Sequence, residues 1–136
     1  MVSRSVLEVR YAETDQMGVV HHGAYVPWLE VGRVHWLRAA GVEYADLERE
    51  GLFFPVVELE LRYRRALRFG QEVEVRTRLT ELASRRLVFA YELAPVGGEL
   101  AAAGRSVHVP QDASGRVRRL PEALYDLLQP LREPHT

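Results

Sequence analysis

The sequence predicts an α+β fold in one domain, residues 1–136, with an antiparallel sheet packed against a single long helix. Three observations support this. A chain of 136 residues matches one domain. Its hydrophobic period changes once, from the helical 3.6 in the first half to the alternation of strands in the second. Four of the five predicted strands therefore follow the helix as a group, which is typical of α+β folds and not of alternating parallel ones.

The first half contains one strand and the longest helix. Residues 6–11 have the apolar content of a strand, and a polar, glycine-containing loop follows them. Residues 24–40 carry apolar side chains at helical spacing, and Gly41 is a suitable helix stop. A shorter helix is predicted for residues 43–50. Both tryptophans, Trp28 and Trp36, lie in the long helix and are expected in the core or in an interface.

The second half predicts four strands in a meander and a closing helix over residues 121–128. Residues 57–63 and 73–79 alternate apolar and charged side chains, as half-buried strands do. Residues 87–93 and 100–109 supply two more strands, which are joined by a turn at residues 95–98. One helix can cover only one face of a sheet, and the edges of the sheet need pairing. We therefore expect a homo-oligomer, formed through a sheet edge or through the helix-bearing face.

Composition excludes several kinds of chemistry. The chain has no cysteine, which rules out disulfides, thiolate nucleophiles and cysteine-bound metals. All 18 basic residues are arginine, so catalysis through a lysine Schiff base is also ruled out. A formal net charge of −1 gives no reason to expect a nucleic-acid or membrane partner. The chain begins without the apolar core of a signal peptide, and a cytoplasmic location is expected.

Residues 11–25 bring together the groups that acyl transfer needs. Asp15, His21 and His22 lie just before the long helix, whose first N–H groups are free and carry the positive end of its dipole. Such N–H groups can stabilise a carbonyl oxygen as it gains charge, and a carboxylate can attack a carbonyl or activate water. An aspartate that only accepts hydrogen bonds from backbone N–H groups in a turn would occur in the same sequence context as Asp15. Adjacent histidines point in different directions, so no metal site is expected.

The same segment resembles the 4-hydroxybenzoyl-CoA thioesterase family of hotdog proteins. The resemblance extends over nearly the whole chain and rests on a motif formed by Tyr11, Thr14, Asp15, Gly18, Val20, His22 and Tyr25. It implies a sheet wrapped around a long central helix, with Asp15 as nucleophile or general base. It also implies that backbone N–H groups near His22 and Gly23 polarise the carbonyl. Family members form dimers with the active site at the interface, often within tetramers.

Other candidate site residues have alternatives that the sequence leaves open. Tyr25 either packs in the core or borders the acyl pocket, and the His22 side chain either contacts substrate or only packs. A different branch of hotdog thioesterases uses a helix glutamate near Glu30, which makes Glu30 the alternative carboxylate. The phosphates of coenzyme A need positive charge, for which the candidates are Arg85, Arg86 and Arg118, with Arg116 and Arg119 beside it; each is equally well a surface arginine.

The predicted function is hydrolysis of an acyl-CoA thioester to a free acid and coenzyme A, without metal or cofactor. Two alternatives are a hotdog hydratase or dehydratase acting on enoyl thioesters, and a non-catalytic acyl-CoA-binding module. The acyl group, the choice between coenzyme A and acyl carrier protein, and the choice between dimer and tetramer stay open at this stage.

Overall fold

The computed structural model describes residues 1–134 and contains one five-stranded antiparallel sheet with a long helix on one face. The strands are β1 (Val2–Glu8), β2 (Val56–Tyr63), β3 (Glu72–Ala83), β4 (Arg86–Pro95) and β5 (Ala102–His108). The helices are α1 (Tyr25–Ala39), α2 (Tyr44–Arg49) and α3 (Glu122–Leu128), with 3-10 turns at Tyr11–Glu13, His22–Ala24 and Gln129–Leu131. The α+β prediction is confirmed, and the arrangement is the hotdog fold.

The strand order corrects the predicted meander. The order across the sheet is β1-β3-β4-β5-β2, so β3, β4 and β5 form a meander of three strands. β2 does not pair with β3, which follows it in sequence, but crosses to the far edge and pairs with β5. The eight residues between β2 and β3 allow this crossing, and strand periodicity carries no information about which neighbour a strand chooses.

The first strand also differs from its prediction. β1 begins at Val2 and ends at Glu8, whereas residues 6–11 were expected. Its helix-facing side is formed by the small polar residues Ser3 and Ser5, and Val6 points outward and is exposed. Apolar content therefore predicted the wrong boundaries for this strand, and Tyr11 lies in a 3-10 turn with its ring exposed.

The core lies between α1 and the inner face of the sheet. Trp28 and Trp36 are both buried there, which confirms their expected place in the core. Gly32, in the middle of α1, lets the helix approach β3 closely, because a Cβ at this position would collide with Thr77 Oγ1. No helix within residues 1–134 is long and apolar enough to cross a membrane.

β2 is less buried than its alternation predicts. Leu59, Leu61 and Tyr63 are on the inner face, opposite Ser106, Gly104 and Ala102 of β5, yet Leu59 is 42% exposed and Tyr63 is 48% exposed. α1 packs mainly over β1 and β3 and leaves this edge uncovered. The prediction of a half-buried strand is therefore wrong for the single chain.

Candidate active site

Asp15 is held in a tight turn between β1 and α1. Its Oδ1 atom accepts hydrogen bonds from the backbone N–H groups of Met17, at 2.8 Å, and Val19, at 3.3 Å. The backbone closes the same turn through a bond from Gly18 N to Asp15 O at 3.0 Å, with Gly18 at a positive φ of 76°. The turn role of this aspartate is therefore present in the structure. Only one carboxylate oxygen is used for it, and within residues 1–134 no protein group donates to Oδ2.

Glu13 fastens this turn to α1. Its carboxylate is buried and accepts hydrogen bonds from Trp28 Nε1 at 2.7 Å and from the Arg10 backbone N–H at 2.8 Å. Burial alone would raise the pKa of Glu13, but these bonds and the charge of the Arg10 guanidinium together lower it. The backbone carbonyl of Glu13 also accepts from His21 N at 3.0 Å. Sequence reasoning missed this residue; the only signal was an acidic side chain three residues after Arg10.

The approach to α1 is formed by the 3-10 turn His22–Ala24, which continues directly into the helix. As the first residues of a helical segment, His22 and Gly23 have backbone N–H groups without partners inside it. The His22 carbonyl accepts a hydrogen bond from the Tyr63 hydroxyl at 3.1 Å. This contact joins the end of β2 to the start of α1.

These groups share one open groove of about 340 Å³. Three of the predicted site residues, Asp15, His22 and Tyr25, line it together, and Gly23 is next to it in the chain without lining it. The Tyr25 side chain is buried, with its ring edge-on to Tyr63 at 5.0 Å between centroids, so it both packs and borders the groove. Burial raises the pKa of its phenol, which keeps its proton.

Glu30 lies outside this groove. It faces a second cavity of about 300 Å³ between α1, α2 and the start of β2. It is five positions after Tyr25 in the helix, a rise of about 7.5 Å along the axis. The structure therefore does not bring the alternative carboxylate together with Asp15.

The predicted phosphate-binding arginines are far from Asp15 within one chain. Arg85 is in the turn after β3 and Arg86 begins β4, and the segment after Arg118 joins that turn through a bond from Leu120 N to Ser84 O at 2.8 Å. Asp15 is near the opposite end of β3, because Val19 in its turn forms a bridge with Arg68. The twelve residues of β3 place these ends more than about 30 Å apart.

Two other arginines line the Asp15 groove. Arg64 and Arg65 follow β2 directly, and sequence reasoning did not single them out. Arg65 also pairs with Glu99. Within residues 1–134 no three histidine, aspartate or glutamate side chains are grouped closely enough to hold a metal ion.

Comparisons with known proteins agree on one family. Residues 9–128 match the model of the thioesterase-like superfamily. A Bacillus subtilis protein whose name proposes acyl-CoA thioesterase activity is 38% identical over 111 residues, 82% of this chain and 80% of that protein. The crystal structure of a hypothetical protein from Thermus thermophilus is 49% identical, with a TM-score of 0.91, covering 98% of this chain and 99% of that one. A DHNA-CoA thioesterase structure from Staphylococcus aureus is 33% identical, with a TM-score of 0.88 over 94% of this chain and 87% of that one.

Proposed function

The chain belongs to the thioesterase-like superfamily, and from that membership we propose that it hydrolyses acyl-CoA thioesters with Asp15 as the catalytic carboxylate. The observation that best supports this proposal is the geometry of the Asp15 carboxylate. Its Oδ1 is fixed by two backbone N–H groups, and its Oδ2 is available to react. A fixed carboxylate can attack the thioester carbonyl, or it can take a proton from a water that attacks. Either route ends in a free carboxylic acid and coenzyme A.

The start of α1 supplies stabilisation for the oxyanion in this proposal. Backbone N–H groups at His22 and Gly23 are next to the groove and have no helical acceptor. Donors of this kind, fixed in advance by a helix, stabilise the negative charge that develops on the carbonyl oxygen. The bond from Tyr63 to the His22 carbonyl supports the role by holding this segment in place.

A dimer through β2 would complete the site. β2 is an edge strand with an exposed apolar inner face, and pairing two copies antiparallel would join the sheets. The two-fold axis would put the Val56 end of one β2 beside the Tyr63 end of the other. The partner's Arg85, Arg86 and Arg118 would then be at the same end of the joined sheet as Asp15. With Arg64 and Arg65 they would attract the phosphates of coenzyme A.

The test of this function is thiol release over a panel of acyl-CoA esters, comparing the parent protein with Asp15→Asn. Asparagine keeps the Oδ1 acceptor, so the turn stays closed while the charge is lost. We expect kcat to fall by at least about a hundredfold, as for removal of a general base. Asp126→Asn, on the exposed side of α3, is the matched control and keeps full activity.

A Glu30→Gln variant separates the two candidate carboxylates. We expect it to retain thiol release on simple aliphatic esters, because Glu30 faces the other cavity. Loss of turnover in Glu30→Gln with retention in Asp15→Asn would transfer the catalytic role to Glu30. Crotonyl-CoA hydration, assayed beside hydrolysis, distinguishes a hydratase, and ligand binding without thiol release distinguishes a non-catalytic binding module.

A further inference from the structure

The second cavity is mostly apolar and has a single arginine in its wall. Val26, Glu30, Arg33 and Leu37 line it from one face of α1, and Phe54 and Phe89 supply aromatic rings. The α1 residues are spaced by three or four positions, so they form one continuous stripe along the helix. Its volume of about 300 Å³ is within the range of small-molecule pockets.

An uncovered strip of β2 connects this cavity with the Asp15 groove. Tyr63 lines the groove and Val56 lines the cavity, and Leu59 and Leu61 lie between them on the inner face of the strand. α1 runs alongside, with Tyr25 at the groove and Arg33 eight residues further on, a rise of about 12 Å. A thioester held at Asp15 can therefore extend its acyl group along α1 and β2 into the cavity.

Arg33 is fixed by a phenol and not by a carboxylate. Its Nη1 donates to Tyr91 Oη at 3.0 Å, and the side chain is only half-buried. Among the ion pairs of residues 1–134, none includes Arg33 or Glu30. A guanidinium has five N–H donors in a planar fork, so Arg33, which lines the cavity, has donors beyond the one that binds Tyr91.

A buried chain of hydrogen bonds holds Tyr91 in one orientation. Tyr91 Oη lies 2.6 Å from Ser106 Oγ, Ser106 Oγ lies 2.7 Å from His108 Nε2, and His108 Nδ1 lies 2.9 Å from the Phe54 carbonyl oxygen. All three side chains are at most 2% exposed. Burial lowers the pKa of His108 to about 4, so its ring is neutral at pH 7.

The direction of every bond in this chain follows from its last member. A carbonyl oxygen can only accept, so His108 Nδ1 carries the proton and Nε2 accepts from Ser106. Ser106 Oγ then accepts from Tyr91, whose pKa is raised by burial and whose hydroxyl therefore keeps its proton. Tyr91 Oη is left as an acceptor for Arg33. Three buried polar side chains are thus used to orient one guanidinium at the cavity wall.

We propose that the cavity receives the acyl group of the substrate and that Arg33 donates hydrogen bonds to an oxygen atom at the far end of that group. The inference rests on the proposed function for the identity of the thioester. It makes Arg33 a specificity-determining residue and Tyr91 its positioning residue. The oxygen acceptor is either a hydroxyl, which could also donate to Glu30, or a carboxylate, which would meet the negative charge of Glu30.

Three esters of equal chain length test this: octanoyl-CoA, its ω-hydroxy derivative and octanedioyl-CoA. We expect one or both oxygenated esters to be preferred over octanoyl-CoA by roughly ten- to a hundredfold in kcat/KM, the usual worth of a hydrogen bond to a charged group. The two oxygenated arms show whether the acceptor is a hydroxyl or a carboxylate. Equal kcat/KM for all three esters would overturn the inference.

Variants test whether Arg33 causes the preference for the oxygenated esters. Arg33→Met is expected to remove this preference, mainly by raising KM for the oxygenated esters. Tyr91→Phe keeps the ring and removes the bond to Arg33, so it is expected to reduce the preference in part. Arg76→Met, on the outer face of β3, is the control and leaves the preference unchanged. A full preference in both Arg33→Met and Tyr91→Phe would also overturn the inference.

Binding separates this inference from the proposed function. Unreactive thioether analogues of the three esters can be titrated by calorimetry. Their Kd values measure binding of the acyl group in the cavity without requiring hydrolysis. A preference in Kd without any thiol release would contradict the proposed function and support the role of Arg33. Thiol release with equal Kd values would support hydrolysis and contradict the role of Arg33.

Discussion

At the scale of single residues, Glu13 is the acidic side chain that holds the Asp15 turn in place. Glu13 contacts Trp28 on α1 and both the backbone and the guanidinium of Arg10, and so connects the Asp15 turn to the helix. The sequence predicted Asp15 and its neighbourhood with His22 and Tyr25, because a motif carries them. It could not predict Glu13, because the burial of a loop carboxylate depends on which side chain the fold brings above it.

His108 is a second residue that the sequence placed correctly in a strand without indicating its role. Its ring is fully buried and neutral, whereas an unfolded histidine takes up a proton near its ordinary pKa of 6.5. Between these two pKa values the unfolded chain binds more protons than the folded one. The contribution of His108 to stability therefore falls as the pH is lowered from about 6.5 to about 4.

We expect His108 to account for about 3 kcal/mol of this loss, at about 1.4 kcal/mol for each pKa unit. Denaturant unfolding at a series of pH values measures it. In His108→Gln the amide can still donate to Phe54 and accept from Ser106, and it does not titrate. The variant should lose less stability than the parent over this window, and parallel pH profiles would contradict the assignment.

At the scale of elements, the close packing of α1 against the sheet depends on a glycine, Gly32, in the middle of the helix. Gly32 faces Thr77 and Val75 of β3, and a Cβ there would also lie only 3.2 Å from Val75 Cγ1. Thr77 Oγ1 is buried and has no hydrogen-bond partner within residues 1–134. The helix is therefore as close to β3 as the backbone permits.

We expect Gly32→Ala to lower the free energy of unfolding by about 1–3 kcal/mol through overpacking, which outweighs the gain of about 1 kcal/mol in helix propensity. Thr77→Ala removes the atom that the new methyl group would meet. The double variant should recover most of the loss, and a double-mutant cycle from denaturant unfolding measures the coupling. A stabilising Gly32→Ala would mean that α1 can shift without cost.

Element boundaries and pairing show where sequence reasoning succeeded and failed. α1, both short helices and the three strands β3, β4 and β5 were predicted within a few residues, since local period and turn residues define them. The place of β2 in the sheet was not predicted, because sheet order is decided by contacts between distant segments. The prediction that β2 is half-buried was also wrong. Leu59 and Leu61 do lie on one face of the strand, but nothing within the described chain covers that face.

At the scale of the whole molecule, that uncovered face makes oligomerisation the natural expectation. We expect Leu59→Lys, which places a charge on the inner face of the edge strand, to convert an oligomer joined through β2 into monomers and to abolish turnover. The monomer should stay folded, because Leu59 is already 42% exposed. Sedimentation velocity measures the change.

Val96→Lys is the matched control for this variant. Val96 is 53% exposed at the turn between β4 and β5, away from the β2 edge, so the same charge should not alter the assembly there. An unchanged oligomer in Leu59→Lys would assign the interface to another surface. A monomeric parent protein with full activity would remove the need for a second subunit altogether.

The strand order also has a consequence for biosynthesis. β1 leaves the ribosome first, but Val2 pairs with Arg78 and every other β1 partner lies in β3. β2 emerges next and must wait for β5, while β3–β4 and β4–β5 are hairpins that can close as soon as they are made. The first third of the nascent chain, including the apolar stripe of α1, therefore has no sheet to pack against until β3 has been translated.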